Sequence, residues 1–198
     1  MTRLLLMGPP GAGKGTQAVR LSSMLSVPQV STGDIFRTNV SEGTELGRTA
    51  QSYMDAGEYV PDEVTNEMVR DRLNADDARG GFLLDGYPRT LDQVRTLDEI
   101  LAGQATALDA VLELAVDSEE LIARLLKRAR ESGRTDDTED VIRRRQEVYT
   151  EQTAPLLETY DKRGLLVRVD GMGEVDEVAE RIAHALHERG IDSTAESV

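Results

Sequence analysis

Apolar residues in this chain follow two rhythms. Short continuous runs bounded by turn residues, Arg3 to Met7, Gln29 to Ser31, Phe82 to Leu84, Ala110 to Val116 and Leu165 to Val169, predict buried strands. Between them the period lengthens to that of a helix. Val175, Val178, Ala179, Ile182, Ala183 and Leu186 make one apolar face, and Leu121, Ile122, Leu125, Leu126 and Ala129 make another. Fully apolar strands alternating with amphipathic helices predict an α/β fold, a parallel sheet covered on both faces. Two stretches interrupt the alternation. Residues 31–60 hold helical segments and no good strand, which predicts a helical insertion at the sheet's edge. Val60-Pro61-Asp62-Glu63 then starts a new helix with proline in its first position. Residues 127–137 are polar and charged around Gly133, the composition of a mobile cover or a plain surface loop. The tail from Ile191 has no period and is expected to fray.

The first strand runs straight into Gly8-Pro9-Pro10-Gly11-Ala12-Gly13-Lys14-Gly15-Thr16-Gln17, and a helical pattern follows. A glycine-rich turn between strand and helix gathers backbone N–H groups around one point, and the helix dipole adds to their field. Gly8, four residues, Gly13 and Lys14 satisfy the phosphate-loop spacing, although Gly15 takes the usual hydroxyl position and delays it to Thr16. A ligand-free turn would not need three glycines and a lysine, and a dinucleotide fingerprint from Gly11 fails because Thr16 stands where its third glycine belongs.

Composition narrows the partners. With 37 acids against 23 bases the net charge is −14, which disfavours nucleic acid and anionic membrane as partners. An anionic ligand therefore needs local positive charge, and Arg124 to Arg145 supplies it with seven arginines and one lysine. The 198 residues suit one substantial core with insertions. There is no cysteine, so no disulfide and no thiolate zinc site. His184 and His187 read as surface residues of a final helix. The amino terminus is too short for a signal peptide and no run reaches membrane-span length. A soluble, cytoplasmic monomer is expected.

Further candidates lie at element ends. Asp85 closes an apolar strand at its carboxyl end, where it could hold a magnesium ion, directly or through its waters, or serve as an ordinary turn aspartate. Pro88 stiffens the turn that presents Arg89, and on a helix Gln93 would share the arginine's face. Ser31-Thr32-Gly33-Asp34 is a helix start, with Arg37 one turn in, where an anionic partner is a reasonable expectation. Arg124 and Arg128 stand four apart on one helix face. Arg130, Arg143 and Arg144 read best as surface charges paired with nearby acids; Arg124, Arg128, Arg134 and Arg145 suit the spreading charge of a phosphoryl group in transfer.

Taken together, the glycine-rich loop, Ser31-Thr32-Gly33-Asp34, Asp85-Gly86-Tyr87-Pro88-Arg89 and Arg134-Thr135-Asp136-Asp137 closely resemble the adenylate kinase family, from residue 1 to about 188. The delayed Thr16 is a family trait. The resemblance implies a three-layer P-loop NTPase fold with a five-stranded parallel sheet and helices on both faces. It divides the chain into a core (1–30, 61–126 and 138–198), an AMP-binding insertion (31–60) and a short lid (127–137) without zinc. It implies Mg²⁺-dependent transfer of a phosphoryl group from ATP to AMP, giving two ADP. Gly11, Ala12, Gly13, Lys14, Gly15 and Thr16 would wrap the ATP phosphates, Arg128 would clamp adenine and phosphate, and the Gly173 backbone would meet adenine. Thr32, Arg37, the backbone of Glu58, Tyr59 and Val60, then Gly86, Tyr87, Pro88, Arg89 and Gln93 would hold AMP. Lys14, Arg89, Arg124, Arg134 and Arg145 would surround the transferred group, with Arg134 and Arg145 also touching AMP. An ionised phosphate is its own nucleophile, so no general base is required. Two other readings use the same motifs: a kinase for CMP, UMP or another monophosphate, and a nucleotide-binding regulatory protein without catalysis.

Overall fold

The structure, a computed structural model, describes residues 1–132 and 138–192. Five parallel strands, β1 (Arg3–Met7), β2 (Gln29–Ser31), β3 (Phe82–Asp85), β4 (Ala110–Ala115) and β5 (Leu166–Asp170), form one sheet in the order β2-β3-β1-β4-β5. The strands fall where the apolar runs predict, with ends moved by one residue. Asp85 belongs to its strand, paired in register with Leu6 on one side and Ser31 on the other.

The alternation of β1 shows why the runs are apolar throughout. Leu4 and Leu6 enter one core with Leu21 of α1 (Lys14–Leu25), Leu121 of α7 (Ser118–Ser132) and Ile182 of α10 (Val175–His187). Leu5 and Met7 enter the opposite core with Val69 of α4 (Asp62–Asn74), Leu97 of α6 (Leu91–Gly103) and Leu156 of α9 (Ala154–Lys162). Side chains of a strand point alternately to its two faces, so a central strand covered on both sides must be apolar at every position. Helices thus lie on both faces, and the α/β three-layer expectation holds.

The insertion is α2 (Thr32–Glu42) and α3 (Glu45–Ala56), with a small core of its own in Phe36, Ala50 and Val60. Ser31 Oγ accepts from the Asp34 N–H at 3.3 Å, the helix start read from the sequence. Pro61 sits at the N-cap of α4, one position outside the predicted first turn. A short α5 (Asp76–Arg79) precedes β3, and α8 (Glu139–Val148) runs through a π turn, Tyr149–Thr153, into α9. Of the predicted cover, residues 127–132 form the end of α7. Residues 133–137, including Arg134, and the tail 193–198 lie outside the described residues.

The face expected of the last helix needs one correction. Val178, Ile182 and Leu186 are buried, whereas Val175 is 42% exposed, because the first turn of α10 projects past the sheet into the cleft described below. His184 and His187 are exposed as expected, facing Glu188 and Asp192 respectively.

Candidate active site

All five strands end on one side, and the loops leaving them build the site there. The loop after β1 turns through Gly11, whose φ of +89° admits few other residues and whose added Cβ would fall 2.9 Å from Leu125 Cγ. The loop therefore packs closely under α7. Gly13 caps α1 without a side-chain hydrogen bond, so the cap leaves amides facing the cleft. Gln146 Nε2 of α8 donates to Pro10 O at 2.8 Å, tying the loop to the helix that carries Arg145.

Two cavities meet at this loop. An outer cleft of about 790 Å³ is lined by the loop from Pro10 to Gln17, by Arg124 and Arg128 of α7, and by Gly171 and Gly173 after β5. An inner pocket of about 120 Å³ lies under the insertion, lined by Thr32, Phe36, Met54 and the segment Gly57–Val60, and closed below by Gly86–Arg89 and Gln93. The two share Pro10, Lys14, Gly33, Arg37, Gly86, Arg89 and Arg145. Four cations thus surround the junction.

Every candidate nucleotide-site residue within the described range lines one cavity or both. Gly11, Ala12, Gly13, Gly15, Thr16, Asp85, Arg124, Arg128 and Gly173 face the outer cleft; Thr32, Glu58, Tyr59, Val60, Tyr87, Pro88 and Gln93 face the inner pocket. Lys14 Nζ bends back to donate to Gly8 O (2.8 Å) and Pro9 O (3.0 Å). Burial pushes its pKa down to about 8; Asp85 resists this, while Arg89, Arg145 and Arg128 add to it. Asp85 is only 8% exposed, and burial holds its carboxyl above the usual range against the opposing pull of Lys14 and Arg89. Among the described residues no hydrogen bond reaches its carboxylate, and no group of three or more His, Asp and Glu side chains converges as a metal cluster. Arg124 pairs with Glu120 at 2.7 Å and donates to Gly171 O at 3.2 Å, holding the loop after β5.

Several local expectations change. Arg89 and Gln93 do not share a helix face, since α6 begins only at Leu91; instead Gln93 Oε1 accepts from the Arg89 backbone N–H at 2.7 Å. Gln93 is 1% exposed, and Asp62 Oδ1 takes its amide hydrogen at 2.7 Å. Asp62, absent from the candidates, therefore orients both Gln93 and, through a 2.8 Å bond, Thr90. Arg37 finds its anion in Asp34 of the same helix. Arg143 pairs with Glu139 as anticipated, but Arg144 reaches Glu58 (2.6 Å) at the insertion's exit as well as Glu147. Met54, Tyr149 and Thr153 of the inner pocket were not candidates either; their apolar or neutral side chains carry no motif, and only the fold brings them here.

Sheet order, glycine-rich loop and paired cavities define a P-loop nucleotide-binding protein of the kinase type. A family model described as adenylate kinase matches residues 6–165. A protein of Kocuria rhizophila named adenylate kinase is 64% identical over 186 residues, covering 94% of this chain and 99% of that one. Adenylate kinases of Leifsonia xyli subsp. xyli and Thermobifida fusca are 61% and 63% identical, covering 98% and 94% of this chain and 100% and 99% of their own lengths. The chain belongs to the adenylate kinase family.

Proposed function

We propose that this protein transfers the terminal phosphoryl group of ATP to AMP, reversibly, giving two ADP. One observation carries the reading: Lys14, Arg37, Arg89 and Arg145 stand where the two cavities join. A triphosphate tail entering from the outer cleft and a monophosphate entering from the inner pocket would meet among these four cations. Transfer between two anions needs alignment and charge dispersal, and fixed guanidinium and ammonium groups supply both. The AMP phosphate is already a nucleophile, so neither exposed histidine is needed. The loop amides from Gly11 to Thr16 would hold the ATP phosphates, Arg128 and the Gly173 backbone the adenine side, and Arg124 and Arg134 the group in transfer. Thr32, Arg37, the Glu58–Val60 backbone, Gly86–Arg89 and Gln93 would hold AMP.

Magnesium fits the site. Asp85 is a buried carboxylate with no hydrogen-bonded partner among the described residues, and it lines the cleft alongside the Thr16 hydroxyl. A hard cation that keeps most of its water shell suits one carboxylate, and when bound with ATP it neutralises phosphate charge. The core, the insertion 31–60 and the cover 127–137 would act as three moving parts, closing over both nucleotides to exclude water.

Coupled ADP formation from ATP and AMP tests this. Wild type turns over only with magnesium; Lys14→Met abolishes turnover, and Arg89→Ala lowers kcat by about 10² or more, the scale of a lost transition-state donor. Turnover that survives both substitutions overturns the assignment.

A further inference from the structure

Tyr59 enters the reading above only through its backbone, yet its side chain reaches Arg89 in two ways. The Arg89 guanidinium carbon lies 4.9 Å from the centre of the Tyr59 ring. The phenol oxygen lies 2.7 Å from Thr153 Oγ1, and the Thr153 hydroxyl donates to the Arg89 backbone carbonyl at 2.9 Å. A threonine hydroxyl has a single hydrogen. With that hydrogen on the Arg89 carbonyl, the phenol must donate, so the chain runs Tyr59 O–H to Thr153 to Arg89 C=O.

Arg89 is held at two more points. Its backbone N–H donates to Gln93 Oε1 and its Nε to Gly86 O, both at 2.7 Å. The terminal nitrogens are then the part left to face the junction of the cavities. The anchors come from different elements: Gln93 and Gly86 from the core, Thr153 from the π turn before α9, and Tyr59 from the segment leaving the insertion. Thr153 is 4% exposed, so its hydroxyl is buried and committed. An aromatic face attracts a guanidinium without neutralising it, unlike the carboxylate of Asp34 beside Arg37. The ring thus steadies Arg89 and leaves its charge for a phosphate. An aliphatic side chain at 59 could fill the space but would supply neither π face nor hydrogen.

We infer that the Tyr59 side chain, acting with Thr153, is a positioning residue for Arg89 that orients the arginine only while the insertion is seated on the core. The inference rests on the role proposed above for Arg89. Seating of the insertion and readiness of the transferring arginine become one event; because Arg89 also belongs to the AMP side of the site, the effect falls on turnover and on KM for AMP, and leaves KM for ATP unchanged.

Steady-state kinetics on four variants test it. Tyr59→Phe and Thr153→Val should each lower kcat about 3- to 10-fold, the scale of one buried hydrogen bond, with KM for ATP within about twofold. Thr153→Ser keeps the hydroxyl and should restore kcat to within about twofold of wild type. Tyr59→Leu removes ring and hydroxyl and should lower kcat by about tenfold or more, but change it less than about twofold in an Arg89→Ala background, because coupled residues are not additive. If Tyr59→Leu fails to fold, the Phe, Val and Ser variants decide. Unchanged kcat in Tyr59→Phe and Thr153→Val, or a Tyr59→Leu loss undiminished without Arg89, overturns the inference while wild-type turnover stands. Absent wild-type turnover instead removes the enzymatic reading and this role with it.

Discussion

Lys14 folds back onto two carbonyls of its own loop and shares the cleft with Arg89, Arg145 and Arg128, whose effect on it Asp85 opposes. Its pKa of about 8 lies below the ordinary lysine value, so between pH 8 and about 10.4 the unfolded chain holds more protons than the folded one. The ammonium therefore costs stability below pH 8, and that cost is lost as pH climbs through the window. In nucleotide-free protein with a chelator, Lys14→Met should melt higher than wild type at pH 7, by about 2–4 °C for each kcal/mol relieved in a domain of this size. Melts from pH 7 to 10 check this: the gap should narrow above pH 8, and a gap constant across the range contradicts the buried ammonium. A site that destabilises its apo state in this way is poised for phosphates, which supply the missing counter-charge.

At the scale of elements, the informative contact is the one between the insertion's exit and α8. Gly57 follows α3 with φ +74°, and a Cβ there would lie 3.0 Å from Val141 O, so insertion and helix touch backbone to backbone. Next to it Arg144 pairs with Glu58, each about two-fifths exposed. An exposed pair is worth ~0–1 kcal/mol and weakens with salt. Arg144→Glu should accordingly raise KM for AMP by no more than about fivefold at low ionic strength, with Glu58→Arg in the same chain restoring it and 0.5 M salt erasing the difference. Gly57→Ala should act more strongly, since strain at a positive φ adds to the close backbone contact, and salt should not relieve it. AMP saturation curves at two salt concentrations separate the two effects. The two sides of this contact differ in how far local sequence reveals them. The continuous runs of β1, β3 and β4 are legible because burial on both faces leaves no polar position, and the glycine-rich loop because a phosphate cradle needs special backbone. Arg144, read as a solvated charge, has a partner 86 positions away that no local pattern shows. Thr153 carries no motif at all; a π turn shifts its direction, and a period of 3.6 residues does not register that shift.

For the whole molecule, a net charge of −14 and a cationic junction pull in opposite directions on any nucleotide. The general surface repels anions, while Lys14, Arg37, Arg89 and Arg145 gather them at one place, so phosphates are favoured only where they can be aligned. Because all four line both cavities, phosphates arriving from either side converge on the same charges. A ligand spanning both would engage all four together and would join the insertion, the loop after β1 and α8 into one body. Two adenosines linked by five phosphates make such a ligand. It should compete with both ATP and AMP, and at about a thousandfold excess over its Kd it should stabilise the fold by about 4 kcal/mol. At about 2–4 °C per kcal/mol this is a rise in Tm of about 8–16 °C. ATP and AMP analogues added separately at matched saturation each engage one side, and neither links the moving parts. Thermal melts and inhibition kinetics together decide the matter: competition against one substrate only would mean that the cavities do not join as a continuous site, whatever each binds alone.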